Sequence, residues 1–395
     1  MAKGEVFTAK VQQIAAGGAG LTRQEGKSVF IPLTAPGDVV RCRVVNERGT
    51  WAEAELVELL ERSPQRVDPE CPLYGICGGC SLQHLSYKAQ LDAKAAILRD
   101  AFVRIGGFQP PAAQVRECAP FGCRNRVQFH SGRGERGEFV QCGFMGRRSS
   151  RLVPLDDCPA ADMGIRAALK EGRISGGGRE RFTVYSHGKT FLCEGGQERG
   201  RVSLVGRDLA MDATVFFQSN AAMLELLITD VVAAADSADT SLPLADVYCG
   251  VGTFAVFLQD KFASAAIPPD LYLIEQNIKA LTLAHENTGG RANACALSET
   301  AWIESLASGS GRGQKKRWGF MVMDPPREGL SAPFAQWLAE NGPQHAAYVS
   351  CNPATLARDS RILLDAGYTL DRLTLYDFYP QTAHIESLAL FSRIC

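Results

Sequence analysis

Four short stretches combine reactive residue types with spacings that permit chemistry. The first is Cys71-x5-Cys77-Gly78-Gly79-Cys80. Three thiolates this close, with two glycines letting the backbone curl, hold most of a metal centre. A fourth ligand must come from elsewhere, and Cys158, which precedes proline in LVPLDDCPA, is the best candidate. Structural zinc usually uses two Cys-x2–4-Cys knuckles, whereas this is a three-plus-one arrangement. A [4Fe–4S] cluster is therefore favoured over zinc, with unligated core cysteines as the third reading.

The second stretch is Asp246-Val-Tyr-Cys-Gly250-Val-Gly252-Thr-Phe254, where a strand ends in a turn whose glycines let a ligand approach the backbone. The next strand ends in Glu275, a carboxylate able to take a ribose diol. That combination fits NAD or S-adenosylmethionine, and the fold pattern alone does not choose. The third stretch, Asp324-Pro-Pro-Arg327, resembles the strand-end signature of amino-group methyltransferases, but Arg327 stands where an aromatic residue is usual. It tilts the cofactor toward S-adenosylmethionine and away from N-methylation. The fourth, SCNPATLARD, puts Cys351 at another strand end. A thiol there serves as a nucleophile when its surroundings favour the thiolate. Glu386, in the final strand-like segment, is a candidate base; His384 beside it is as easily structural.

These residues need elements to position them. Residues 4–60 alternate in strand fashion (GEVFTAKVQQI, KSVFIPL, DVVRCRVV, TWAEAELVELL) between glycine-rich turns, which predicts a small OB-like barrel. Residues 86–105 predict a helix with Leu91, Ala95, Leu98, Phe102 and Ile105 on one face. A second β-rich region follows over roughly 113–206. From 207 the unit of apolar strand, polar or glycine turn and amphipathic helix recurs, as in a doubly wound Rossmann-like α/β fold with ligands at the carboxyl ends of its strands.

Bulk properties set limits. At 395 residues the chain is too long for one ordinary core, so the fold class is multidomain. With 46% hydrophobic and 22% charged residues, no apolar run long enough to span a membrane and no apolar leader in MAKGEVFTAK, a cytoplasmic protein is expected. The odd count of 13 cysteines disfavours a disulfide framework. The net charge of −1 conceals a basic strip: Arg116 to Arg151 holds eight arginines against Glu117, Glu135 and Glu138, interleaved with Phe121, Phe129, Phe139 and Phe144. Such a strip suits phosphate contact and base stacking, or is simply a solvated sheet face.

Taken together, CPLYGICGGC, FFQSN, DVYCGVGTF, DPPREG, SCNPATLARD and HIESLALF resemble, in order, the motifs of the RNA 5-methyluridine methyltransferases. The resemblance is strongest to the bacterial 23S rRNA branch with an N-terminal TRAM domain and an iron–sulfur cluster. It implies a TRAM/OB-like RNA-binding domain over 1–62, a central iron–sulfur and RNA-binding domain over 63–206, whose helix 86–105 is free to pack on the catalytic domain, and an S-adenosylmethionine-dependent methyltransferase domain over 207–395. It further implies Cys351 as nucleophile, Glu386 as base, and Cys71, Cys77, Cys80 and Cys158 as [4Fe–4S] ligands. Gln218, Tyr248, Glu275 and Asp324 match cofactor positions for S-adenosylmethionine, and Asn293 or a neighbour in RANACAL matches another. Tyr248 replaces the more usual phenylalanine, and a basic segment, SGSGRGQKKRW, looks inserted.

The implied reaction is methylation of uracil C5 in 23S rRNA by a monomeric enzyme, with tRNA as the alternative substrate. C5 is a poor nucleophile until a thiolate adds at C6 and makes an enolate; a base then removes the C5 proton. The target uridine must leave its stack for this. A nicotinamide-dependent iron–sulfur oxidoreductase is the rival from another class, and it leaves Cys351 and Glu386 without a role. A non-catalytic RNA-binding module leaves the cofactor-like strand ends unexplained.

Overall fold

The computed structural model describes residues 1–134, 139–308 and 317–393. Glu135, Arg136 and Glu138 of the basic strip, most of SGSGRGQKKRW, and Cys395 lie outside the described residues. Among the described residues no helix is long and apolar enough to cross a membrane.

The N-terminal sheet has six strands. Its long strand Val39–Arg48 shows how alternation works: Val40, Cys42 and Val44 point into the core, while Arg41 and Arg43 point out and pair with Glu58 and Glu55 of Trp51–Glu61. The predicted first segment splits into Val6–Lys10 and Gln13–Ile14. An additional strand, Gly20–Gln24, follows the AAGGAG turn. Its polar LTRQ sequence hides it, because only Thr22 turns fully inward. The strand Val6–Lys10 pairs with Val39–Arg48 and also lies against Gly20–Gln24, so the sheet curls around a core of Val11, Val29, Ile31 and Ala54.

The helix Tyr87–Ala101 starts at Ser86, whose side chain accepts from the Ala89 N–H, and runs into a π-helical turn, Phe102–Gly106. That wider turn shifts the phase, so Ile105 swings out to 51% exposure while Leu98 and Phe102 stay buried. Both buried residues join the core of the C-terminal region. Lys94 anchors the same helix there, donating at 2.5 Å to Asp377, with both side chains fully buried. Gln90 and Gln381 exchange two further hydrogen bonds at 2.9 and 3.0 Å.

The central five-stranded sheet is built on Arg126–Arg133, flanked by Phe139–Met145 and Arg181–His187. Not all of 113–206 belongs to it. Gln114–Arg116 instead pairs in parallel with Tyr368–Tyr376 at the edge of the C-terminal sheet. The 206/207 boundary falls in the tight turn of a hairpin, Arg199–Leu204 with Arg207–Asp212, whose apolar residues pack into the C-terminal core.

The C-terminal sheet has eight strands in the order Asn293–Cys295, Leu271–Ile274, Leu244–Val247, Phe320–Met323, His345–Ser350, Glu386–Arg393, Tyr368–Tyr376, Gln114–Arg116. The first five are parallel, and Glu386–Arg393 runs antiparallel between its neighbours. Strand order reverses between Leu244–Val247 and Phe320–Met323, and a crevice opens at that switch point.

Candidate active site

The turn after Val247 needs left-handed backbone at Tyr248 (φ 62°), Gly250 (φ 54°) and Gly252 (φ 79°). At Gly252 a side chain would also press within 3.0 Å of the Ala284 backbone, so only glycine allows this close strand–helix approach. The Gly250 N–H donates to Glu275 at 3.1 Å, and the other oxygen of Glu275 accepts from the Asn277 N–H at 2.7 Å. Below the turn, buried Asp246 accepts from the Ala255 N–H at 2.9 Å and pins the start of the following helix.

This turn forms one wall of a cavity of about 810 Å³. Gln218, Tyr248, Glu275, Asp324, Cys351 and Glu386 all line it. Gln218 comes from the FFQSN segment, where Asn220 caps the helix Ala221–Ala234, and its amide nitrogen faces Asp324 at 3.4 Å. Asn293 is not brought to the cavity: its amide nitrogen reaches back to the Leu271 carbonyl at 3.5 Å on the edge strand. Leu297, from the same RANACAL segment, and then Ser298 and Glu299 occupy the wall instead.

Two turns are tied together beside Asp324. The Arg327 carbonyl accepts from Asn352 at 2.8 Å and from Thr355 at 3.3 Å. Asn352 also caps the helix Pro353–Asp365 by accepting from the Ala354 N–H, with Pro353 in its first turn. Cys351 is thus held between a strand end and a capped helix start. Because Glu386–Arg393 runs antiparallel, its first residue lies at the edge where the parallel strands finish. Ser350 pairs with Ser387, which sets Cys351 next to Glu386.

The electrostatics of this corner are those of buried acids. Burial pushes the Cys351 thiol up to about 12, with Glu386 and Asp324 adding to the rise and Arg327 opposing it. Burial likewise raises Asp324 to about 7 and holds Glu386 well above the usual carboxylate range, Asp324 contributing to the latter. The Gln218 amide oxygen and one Glu386 oxygen are buried without a hydrogen-bond partner among the described residues.

Several cavity residues were not singled out from sequence. Tyr379 forms part of the wall, with the Arg124 guanidinium 5.8 Å from its ring centre and the His384 ring at 5.6 Å. His384 also lines the cavity, and burial pushes it down to about 4, so it is neutral at pH 7. Phe216, 60% exposed, sits at the rim with Arg126 5.6 Å from its ring centre. The signal available for Tyr379 was its nearness to Glu386 in sequence and that for Phe216 its place in FFQSN; Arg124 carried none beyond the arginine-rich strip.

Arg124 also lines a second, smaller cavity, together with Cys71, Cys77, Cys80 and Cys158. The loop carrying the first three is drawn in by backbone contact, Gly78 N–H to the Met145 carbonyl at 3.0 Å, and a Cβ on Gly78 would lie 2.9 Å from that same oxygen. Burial raises Cys77 and Cys80 and takes Cys158 to about 11, while Arg124 pulls all three down. Among the described residues no three potential ligands close on a single metal ion. Cys118 and Cys123 form another thiol contact, and the Asn220 amide donates to Cys118 at 3.1 Å.

The strand order and switch-point cavity define a methyltransferase-type α/β fold. A solved structure described as Pyrococcus abyssi tRNA (uracil-54, C5)-methyltransferase in complex with S-adenosyl-L-homocysteine superimposes with a TM-score of 0.71 at 23% identity, covering 98% of this chain and 100% of that one. Residues 314–394 match the family model described as tRNA (Uracil-5-)-methyltransferase. An RNA methyltransferase of Aquifex aeolicus is 30% identical across 96% of this chain and 97% of its own length. The 23S rRNA (uracil(1939)-C(5))-methyltransferase RlmD of Pseudomonas entomophila is 29% identical across 96% and 92%. The chain belongs to the RNA 5-methyluridine (uracil-C5) methyltransferase family.

Proposed function

We propose that this enzyme methylates C5 of one uridine in 23S rRNA, using S-adenosylmethionine, with Cys351 as nucleophile and Glu386 as base. The observation that carries the reading is the antiparallel register that sets Cys351 beside Glu386 at the rim of the switch-point cavity. The 23S rRNA assignment rests on similarity to enzymes named for that substrate.

S-adenosylmethionine supplies an electrophilic methyl group on a cationic sulfonium. The cavity fits such a ligand: Glu275 stands at the strand end suited to a ribose diol, and the buried carboxyls of Asp324 and Glu386 favour a positive charge nearby. The Cys351 thiol gives up its proton to solvent, its sulfur adds to C6 of the flipped uracil, and the C5–C6 π pair moves to O4 as an enolate. After C5 has been methylated, Glu386 takes the C5 proton, the C5–C6 double bond re-forms, and the Cys351 thiolate leaves. Arg124, Arg126 and Phe216 hold the RNA around the open mouth.

Cys71, Cys77, Cys80 and Cys158 would hold a [4Fe–4S] cluster. All four thiols line one cavity, and four cysteine thiolates are the usual ligand set of such a cluster. The cluster supplies a structural staple between the cysteine loop and the central sheet. In this reading residues 1–62 are a TRAM domain and 63–206 the cluster-bearing region, apart from Tyr87–Ala101, Gln114–Arg116 and Arg199–Leu204, which join the methyltransferase domain of 207–395.

A tRNA substrate is the second reading, favoured by the name of the matching family model. Mapping 5-methyluridine by mass spectrometry in RNA from cells lacking the gene separates the two. Loss of one 23S rRNA site supports the proposal, whereas loss confined to tRNA overturns it.

A further inference from the structure

One pair of thiols stands apart from both sets described above. Cys118 and Cys123 bracket the loop Ala119-Pro120-Phe121-Gly122, and neither lines the catalytic cavity or the cavity of Cys71, Cys77, Cys80 and Cys158. Left-handed backbone at Gly122 (φ 70°) turns the chain back, and the Cys123 thiol donates to the Cys118 sulfur. Both thiols are half-buried, while Ala119 and Pro120 between them are exposed, so a small molecule can reach the pair.

The loop is anchored at both ends. Cys118 N–H donates to the Tyr87 hydroxyl at 2.9 Å. Gly122 N–H donates to the Pro159 carbonyl at 2.9 Å, and Arg124 N–H to the Ala160 carbonyl at 3.0 Å. These anchors hold the two sulfurs together, which spares the chain most of the rearrangement that a disulfide otherwise demands. Cys118 is also tied to the wall of the catalytic cavity. The Asn220 amide donates to its sulfur at 3.1 Å and to the Phe378 carbonyl at 3.3 Å, while the Asn220 side-chain oxygen caps the helix Ala221–Ala234. Gln218 and Ser219, the two residues before Asn220, line the cavity.

The hydrogen bond from Cys123 pulls Cys118 down to about 7 against the effect of burial, with the Asn220 amide assisting. The same bond, and burial, push Cys123 up. One sulfur is thus prepared to attack and the other to resolve, and an attacking thiol that titrates near ambient pH exchanges fastest.

We propose that Cys118 and Cys123 form a redox-active dithiol, which a small-molecule disulfide converts to an intramolecular disulfide, and that closing this bond loosens the Gln218 wall of the catalytic cavity. The second half rests on the cavity holding S-adenosylmethionine. In the exchange the Cys118 thiolate attacks one sulfur of glutathione disulfide, breaks its S–S bond and releases one glutathione thiolate. Cys123 then loses its proton to solvent and attacks the Cys118 sulfur of the mixed disulfide, and the second glutathione leaves as thiolate. Two protein thiols are oxidised and one disulfide is reduced to two thiols. The closed bond presents a neutral, weaker acceptor to the Asn220 amide.

The test holds the full-length protein without oxygen in glutathione buffers from fully reduced to fully oxidised, followed by acid quench, alkylation and trypsin digestion. Cleavage after Arg116 and Arg124 leaves both cysteines in one peptide, Glu117–Arg124. In oxidised buffer this peptide is expected to carry no alkyl group and to be lighter than the dithiol by two hydrogens. Cys123→Ser should instead trap glutathione on Cys118. A doubly alkylated peptide in fully oxidised buffer, or glutathione on both cysteines, overturns the dithiol. Oxidised wild type should bind S-adenosylmethionine about tenfold more weakly in calorimetry, and dithiothreitol should restore the affinity. The Cys118→Ser, Cys123→Ser double variant should bind equally in both buffers. Equal affinity of oxidised and reduced wild type, or the same loss in the double variant, overturns the coupling to the cavity. A wild type that binds no S-adenosylmethionine in either buffer overturns the proposed function and the coupling together, and the peptide masses still decide the dithiol.

Discussion

Cys351 on one side, and Cys77, Cys80 and Cys158 of the loop cavity on the other, are partly buried thiols raised by desolvation, yet their neighbours carry opposite charge. Cys351 faces Glu386 and Asp324, which push it further up, and only Arg327 opposes them. Cys77, Cys80 and Cys158 face Arg124, which pulls them down, and one another's thiols. The second arrangement suits permanent thiolates held by a cationic centre. The first suits a thiol kept neutral until ligands arrive, since a positive charge placed among those carboxyls favours the thiolate. In the proposed reading, residue type alone does not separate the nucleophile from the ligands; the sign of the local field does.

The largest expected effect breaks the first half of this contrast. Cys351→Ala should reduce methyl transfer to 23S rRNA by about 10⁴-fold or more, measured with radiolabelled S-adenosylmethionine, while iron content stays at the wild-type level. Residual turnover near wild type would remove Cys351 from the mechanism.

Glu386→Gln should slow turnover by about 10²–10⁴-fold and leave a protein–RNA adduct that survives denaturing gel electrophoresis. Addition at C6 remains possible without the base, but release of the thiolate does not. Normal turnover with no adduct would assign the proton to another group.

Cys158→Ser tests the other set. It should abolish visible absorbance and iron binding and cost at least about 2 kcal/mol of stability, read from melting curves. Stoichiometric zinc and no iron in the wild-type protein would sink the cluster assignment.

A further test, which leaves both sets of thiols intact, concerns Asp324 in the free protein. Its carboxyl is raised to about 7 from an ordinary 3.8, so the folded state prefers it protonated. That preference stabilises fully below about pH 4, and the contribution is lost as pH rises through 7. Asp324→Asn should therefore melt with the wild type at pH 4 and above it at pH 8, by up to roughly 4 kcal/mol. A variant less stable than wild type at pH 8 would show that the carboxylate is better paired than the structure indicates.

Much of the architecture was legible from pattern. Alternation in DVVRCRVV marked a half-buried strand, and the recurring strand–turn–helix units marked the C-terminal sheet. The hidden strand Gly20–Gln24 was not legible, because its outward residues include Leu21 and Arg23 and alternation there carries little contrast. Within RANACAL it is Leu297 rather than Asn293 that lines the cavity, because a strand's identity does not say which of its residues clear the edge of the sheet.

By itself the sequence determined which residues could react: three cysteines around two glycines, a glycine turn, and a cysteine before Asn-Pro. These are local properties, set by spacing and by the backbone freedom of particular residue types. Only the tertiary structure decided that Cys351 and Glu386, 35 positions apart in sequence, meet at one rim. The reason is the reversed direction of the last strand, which brings its first residue to the edge where its parallel neighbours end, and strand direction is fixed by long-range pairing rather than by any residue in the strand.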